Sequence, residues 1–159
     1  MLARDIMSAP AITVSEGTPA PEVARLMEDR NIGAVIVVDR EGQLAGLITE
    51  SDFTGIGRVV PFSLRLAPVI FGARPASLAE LQEIYQRASK LDAAAVMTGD
   101  VRSVGEDAPV GEVIHTMLQS DLKHVPVVRA AGGGRRGTPV GMIARHDVLK
   151  LAAGKLARG

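Results

Sequence analysis

The chain contains no cysteine and no tryptophan, one tyrosine and three phenylalanines. The first absence removes a disulfide framework, a thiolate metal site and a cysteine nucleophile, and it fits a reducing compartment. Neither sign of charge is in excess. Eighteen Lys and Arg stand against 18 Asp and Glu, a formal net charge of +0, so there is no overall electrostatic footprint for nucleic acid or an anionic membrane. Long apolar runs are missing too: the most apolar connector, residues 59–71, carries Arg65 and two prolines. It is shorter than the roughly 20 apolar residues that a bilayer span requires. The opening Met1-Leu-Ala-Arg-Asp-Ile has an acid at Asp5 and no apolar h-region, so it does not read as a secretory signal. The expectation is a soluble cytoplasmic protein with no nucleic-acid partner and no membrane insertion.

What the chain has instead is a repeat. A shift of 90 residues pairs Met7 with Met97, Val14 with Val104, Glu16 with Glu106, Pro19 with Pro109, Val23 with Val113, Met27 with Met117 and Val35 with Val125. After a five-residue insertion the match resumes at a shift of 95, pairing Gly46 with Gly141, Ile48 with Ile143 and Asp52 with Asp147. Two copies of one supersecondary unit imply pseudo-symmetry, and pseudo-symmetric halves make clefts at their shared axis. A repeat this short is marginal alone because small units bury too little surface, so the two are expected to share a core.

Hydrophobic spacing gives the elements. Val110, Val113, Ile114, Met117 and Leu118 recur at helical spacing behind Asp107 as N-cap, with Pro109 in the first turn; Ala20, Val23, Ala24 and Met27 do the same behind Thr18, with Asn31 as the stop. Each helix is followed by a β-branched run, 34–38 or 124–128, too continuous for a half-exposed strand and therefore buried on both faces. Residues 39–42 form a hairpin turn before a second strand over 43–49, whereas the equivalent turn at 129–138 is drawn out and glycine-rich. A last helix spans 146–156, with Val148, Leu149, Leu151 and Ala152 as its apolar face. The fold class is α+β: two pseudo-symmetric β-α-β-β-α repeats in one compact module, the first over 1–58 and the second over 96–159. A connector over 59–95 carries a helix at about 78–90, opened by the capping box at Ser77 to Glu80. Phe53, Phe62, Phe71 and Tyr85 all lie in or beside that connector, as anchors to the domain or as a surface for a partner.

The segment Gly46-Leu-Ile-Thr-Glu-Ser-Asp52 ends a strand and enters a turn, which brings the Thr49 hydroxyl and the Asp52 carboxylate to the strand's C-terminal edge, where ligands dock in α/β sheets. A carboxylate that accepts from two vicinal hydroxyls suits ribose. The same two residues also suit capping of the following helix.

The two Gly-hydrophobic-hydrophobic-X-X-X-Asp segments each close a repeat that opens with Ile6-Met-Ser or Val96-Met-Thr and passes through a Val-rich strand. Together they resemble a tandem pair of CBS (cystathionine beta-synthase) domains over about 6–52 and 96–150. The resemblance implies a non-catalytic regulatory module that requires no cofactor. It would bind an adenosine-containing regulatory ligand, such as AMP, ADP, ATP or S-adenosylmethionine, in clefts between the paired repeats. It also implies a homodimer and a regulated protein partner. Carried onto this chain, it groups Thr49 and Asp52 with Val101, Arg102, Ser103, Lys123, His124, Val125 and Pro126, the basic residues serving phosphate. A second, weaker group joins Asp147 and Arg145 to Ala11, Ile12, Thr13, Gly33, Ala34 and Val35, with Ala144 standing where the first repeat has Thr49.

Two other readings remain open. One is a ligand-free dimerisation scaffold. The other is a metal-dependent hydrolase, for which the chain offers His115, His124, His146 and scattered acids but no Ser-His-Asp, paired-carboxylate or HExxH arrangement. Arg135 and Arg136 in the glycine loop read as solvated.

Overall fold

The computed structural model describes residues 1–54, 86, 89–130 and 136–154. The expected connector helix, Phe62, Phe71, Tyr85 and most of the glycine loop lie outside the described residues.

The elements, in chain order, are α1 (Ala3–Ile6), β1 (Thr13–Ser15), α2 (Ala20–Arg30), β2 (Ala34–Val38), β3 (Leu44–Thr49), α3 (Glu50–Thr54), α4 (Ala93–Val96), β4 (Val104–Gly105), α5 (Val110–Gln119), β5 (His124–Arg129), β6 (Thr138–Ala144) and α6 (Arg145–Ala152). Two three-stranded sheets result, β1-β2-β3 and β4-β5-β6. The expected α+β repeat is therefore present twice, each time preceded by a one-turn helix. β4 runs parallel to β5, and β5 antiparallel to β6, with His124 opposite Ala144 and a register irregularity between Val127 and Val128.

The compact units are not the repeats as they run along the chain. One unit takes Met1–Thr13 and Glu41–Leu44 together with the chain from Asp100 onward; the other takes Val14–Arg40 and Ala45–Gly99. Each opening segment thus belongs to the unit built on the other repeat.

In the unit built on the second repeat, the Ala3 and Arg4 amides donate to the carbonyls of Ala108 and Glu106 at 2.8 and 3.0 Å, and Ser8 exchanges backbone bonds with Met142 on β6. Ala3 and Ile6 enter a core with Val104, Val110, Val113, Met117, Val125, Val127 and Ile143. Each fully buried valine or isoleucine there contributes roughly 1.5–3 kcal/mol relative to exposure. In the other unit the Ala93 and Ala94 amides donate to Thr18 and Glu16 at 2.8 and 2.9 Å, and Thr98 exchanges bonds with Leu47 on β3. Val23, Val35, Ile36, Val37 and Ile48 are fully buried in this unit. The continuous β-branched runs are buried as their pattern requires.

Three expectations change. Both long helices take proline as N-cap, Pro19 for α2 and Pro109 for α5, and neither Thr18 nor Asp107 caps them. Proline fixes φ and has no N–H to leave unsatisfied, so it can hold the entry itself; Thr18 turns its hydroxyl to Ser15 at 3.0 Å, and Asp107 pairs with Arg4. Leu118 and Leu149 lie off the buried stripes, 76% and 61% exposed, because one residue advances about 100° around a helix. The last helix stops at Ala152 rather than Leu156, and Gly154 follows at φ 66. Asn31 ends α2 as expected, in the left-handed region (φ 50), and Asp121 adopts φ 48 just after α5; Asn and Asp enter that region at low cost.

Candidate functional site

In the unit built on the first repeat, β3 passes directly into α3 at Thr49. The Asp52 carboxylate turns back on that junction: Oδ2 accepts the Thr49 amide at 2.7 Å and the Thr49 hydroxyl at 3.2 Å. The hydroxyl also lies 2.8 Å from that of Ser51. The Glu50 amide donates to the Gly33 carbonyl at 3.2 Å, which ties the junction to the entrance of β2, where Ala34 and Val35 are buried. Asp52 is only 9% exposed. A buried carboxylate is costly unless donors surround it, and among the described residues both donors to Asp52 reach the same oxygen.

The unit of the second repeat builds the same junction where β6 enters α6. Asp147, 7% exposed, accepts the Ala144 amide on Oδ2 at 2.9 Å. With no hydroxyl at Ala144, its partner on the other side is Lys150, whose Nζ lies 3.5 Å from Oδ1. The Arg145 amide donates to the Lys123 carbonyl at 3.0 Å, as Glu50 does to Gly33 in the other unit, and His124 sits opposite Ala144. The Arg145 side chain donates to the Leu122 carbonyl at 2.9 Å and pairs with Asp121. Val125 and Pro126 are fully buried, whereas Lys123 is exposed. In the same unit the Ala11 amide donates to the Val140 carbonyl on β6 at 3.1 Å; Ala11 and Ile12 are half-buried and Thr13 exposed. Val101 and Ser103 are half-buried and Arg102 exposed.

Sorted by compact unit, the sequence-selected residues fall differently from the two groups drawn above. Thr49 and Asp52 share a unit with Gly33, Ala34 and Val35. Asp147 and Arg145 share one with Lys123, His124, Val125 and Pro126, with Ala11, Ile12 and Thr13, and with Val101, Arg102 and Ser103. Lys150 escaped the sequence reading, although its place three residues after Asp147 on a helix puts the two side chains on one face. Also missed was the ion cluster that joins α1 to the turn before α5. There Arg129 grips Glu106 with two bonds, Nε to Oε1 at 2.5 Å and a terminal nitrogen to Oε2 at 2.9 Å, beside the Arg4–Asp107 pair. The hydrogen bond from Arg129, with the positive charges of Arg129 and Arg4, holds the Glu106 carboxyl below its ordinary value. The same bond raises Arg129. The spacing that encodes this cluster spans most of the chain and carries no local pattern.

Among the described residues no group of three or more His, Asp or Glu is placed to hold a metal ion, and no helix is long and apolar enough to cross a membrane.

The model of the CBS domain matches residues 3–56 and 93–154, both repeats with their opening segments. The chain belongs to the CBS domain family. A CBS domain pair is generally regulatory rather than catalytic. The CBS domain of a membrane protein from Sphaerobacter thermophilus is 34% identical, with a TM-score of 0.73 over 95% of this chain and 87% of that one. The CBS domain pair of protein MJ0100, solved in complex with 5′-methylthioadenosine and S-adenosyl-L-methionine, is 26% identical, with a TM-score of 0.67 over 98% of both chains. Protein MJ1426 of Methanocaldococcus jannaschii is 27% identical over 158 residues, 94% of this chain and 90% of its own length. The family match extends past the 6–52 and 96–150 read from the sequence at both ends of each repeat, and at the N-terminal ends it takes in α1 and α4.

Proposed function

We infer that this CBS pair is a regulatory module that binds an adenosine-containing ligand, AMP, ADP, ATP or S-adenosylmethionine, through the junction carboxylates, and answers by a change of conformation passed to a protein partner. The observation that carries this reading is the buried acid in the first turn of the helix that follows the last strand, present in both repeats. At Asp52 the Thr49 donors take one carboxylate oxygen, and vicinal ribose hydroxyls are the natural complement for the other. A role in capping alone does not require burial. The ligands carried by the MJ0100 pair, both adenosine derivatives, support the same chemistry. A ligand changes a conformational equilibrium only through different affinities for the two states, so the response is a property of the bound chain and not of the fold alone. We further propose that the chain works as a homodimer; among the described residues Leu118 and Leu149, exposed on α5 and α6, are apolar groups that could serve it.

The test is a thermal-shift panel of AMP, ADP, ATP, S-adenosylmethionine and 5′-methylthioadenosine. Binding to the folded form alone stabilises it by about 2.7 kcal/mol at one hundred times the dissociation constant, an easily seen shift. A flat response to every compound rejects the sensor reading and leaves the ligand-free scaffold in its place.

A further inference from the structure

The two junctions share a backbone hydrogen bond and an acid that accepts the amide three residues before it, and differ in the charges their elements carry. On the elements that form the Asp147 junction, Lys123 and His124 stand at the head of β5, and Arg145, already paired with Asp121, His146 and Lys150 on α6. The equivalent positions of the first repeat hold Gly33, Ala34, Glu50, Ser51 and Gly55. One backbone bond is the same in both units, from the Arg145 amide to the Lys123 carbonyl at 3.0 Å and from the Glu50 amide to the Gly33 carbonyl at 3.2 Å. Lys150 differs from the other cations in that its ammonium already lies on the carboxylate, 3.5 Å from Oδ1 of Asp147. Asp52 is held instead by the uncharged amide and hydroxyl of Thr49.

These differences bear on the ligand's 5′ substituent. When ribose hydroxyls take Oδ1 of Asp147, the Lys150 ammonium loses its partner while the ligand arrives. A phosphate on the same ligand restores one, and exposed Lys123 adds a second positive charge. A neutral nucleoside restores nothing, and a sulfonium adds a further positive charge to a basic surrounding. At Asp52 the balance reverses: Glu50 and Asp52 repel a phosphate and favour a neutral or cationic 5′ group.

We propose, resting on the adenosine-binding reading above, that the junction of Asp147 is selective for phosphate-bearing adenosine ligands through Lys150 and Lys123, and that the junction of Asp52 is selective for neutral or sulfonium-bearing ones. The chain then reads two chemically distinct classes of ligand.

The probes are AMP and 5′-methylthioadenosine, which share adenosine and differ in the phosphate. Each is titrated by calorimetry into the full chain carrying Asp52→Ala, with and without Lys150→Gln. The expected result is a tenfold or greater loss of AMP affinity on adding Lys150→Gln, with 5′-methylthioadenosine unchanged or tighter. AMP binding in the Asp52→Ala chain should also weaken as salt is raised, because screening acts on the phosphate contact. Lys150→Arg keeps the charge and should retain most of the AMP affinity, which separates a phosphate contact from a fold defect. Equal losses for both probes, or AMP affinity unchanged within twofold, overturn the proposal while leaving adenosine binding intact. If neither compound binds the wild-type chain, it is the adenosine-binding reading that fails.

Discussion

Gly141 on β6 lies against the side chain of Met7: a Cβ on the glycine would stand 2.5 Å from the Met7 sulfur and 2.9 Å from the Ser8 carbonyl oxygen. In the other unit a Cβ on Gly46 would likewise meet the Met97 sulfur, and would stand 2.9 Å from the Thr98 carbonyl oxygen. The coincidence of Met7 with Met97 and of Gly46 with Gly141 in the repeated sequence therefore has one physical cause. Each methionine opens one repeat and packs against the glycine that the other repeat supplies.

Gly141→Ala and Gly46→Ala are each expected to lower stability by about 1–3 kcal/mol, the usual cost of inserting a carbon into a filled space. The methionine can swing aside, but the carbonyl of Ser8 or Thr98 is held by paired strand bonds and cannot. Urea denaturation of the single variants and of Gly141→Ala combined with Met7→Ala measures the coupling. The double variant should lose less than the sum of the singles.

The Glu106–Arg129 grip gives a pH signature. Because the folded carboxyl is held below its ordinary value, the pair's contribution is fully present above the ordinary carboxylate range and is lost as pH falls through the folded value. The stability difference between wild type and Glu106→Gln should accordingly be constant near neutrality and close up on acidification. Denaturation midpoints collected as a pH series check this. A difference that persists unchanged at the acid end counts against the pair as its source.

A homodimer should sediment at twice the 16.7 kDa of one chain at micromolar concentration. Leu118→Glu and Leu149→Glu, exposed in the single chain, should shift it toward monomer without lowering the cooperativity of unfolding. A wild-type chain that remains monomeric with and without nucleotide rejects the homodimer.

Much of the fold is legible in the sequence because its cause is local and periodic. The β-branched runs at Val35 to Val37 and Val125 to Val127 announce buried strands, Asn31 announces a helix end, and the Thr49–Asp52 contact follows from a three-residue spacing. The exchange of opening segments was not legible, since the pairing of Met7 with Gly141 is a tertiary fact that a repeat alignment registers only as identity. The N-caps were misassigned for a similar reason: Asp107 has a good capping side chain, but Arg4 from the far end of the chain competes for it. At the junctions, the sequence singles out both acids and the missing hydroxyl at Ala144, but not that Lys150 lies on the other oxygen of Asp147.

The central claim is that Asp52 holds the ribose of an adenosine ligand. Calorimetric titration of S-adenosylmethionine, 5′-methylthioadenosine and AMP into wild type and Asp52→Ala tests it most directly, with thermal melts of both proteins confirming that each is folded. Loss of a hydrogen bond to a charged group costs about 1.5–3 kcal/mol, roughly a 10- to 150-fold change in affinity. The account predicts a loss of that size in at least one binding event, with Asp147→Ala leaving the same event nearly intact. Binding of all three compounds that is unaltered in Asp52→Ala, or an event weakened by Asp52→Ala that Asp147→Ala abolishes as well, would contradict it.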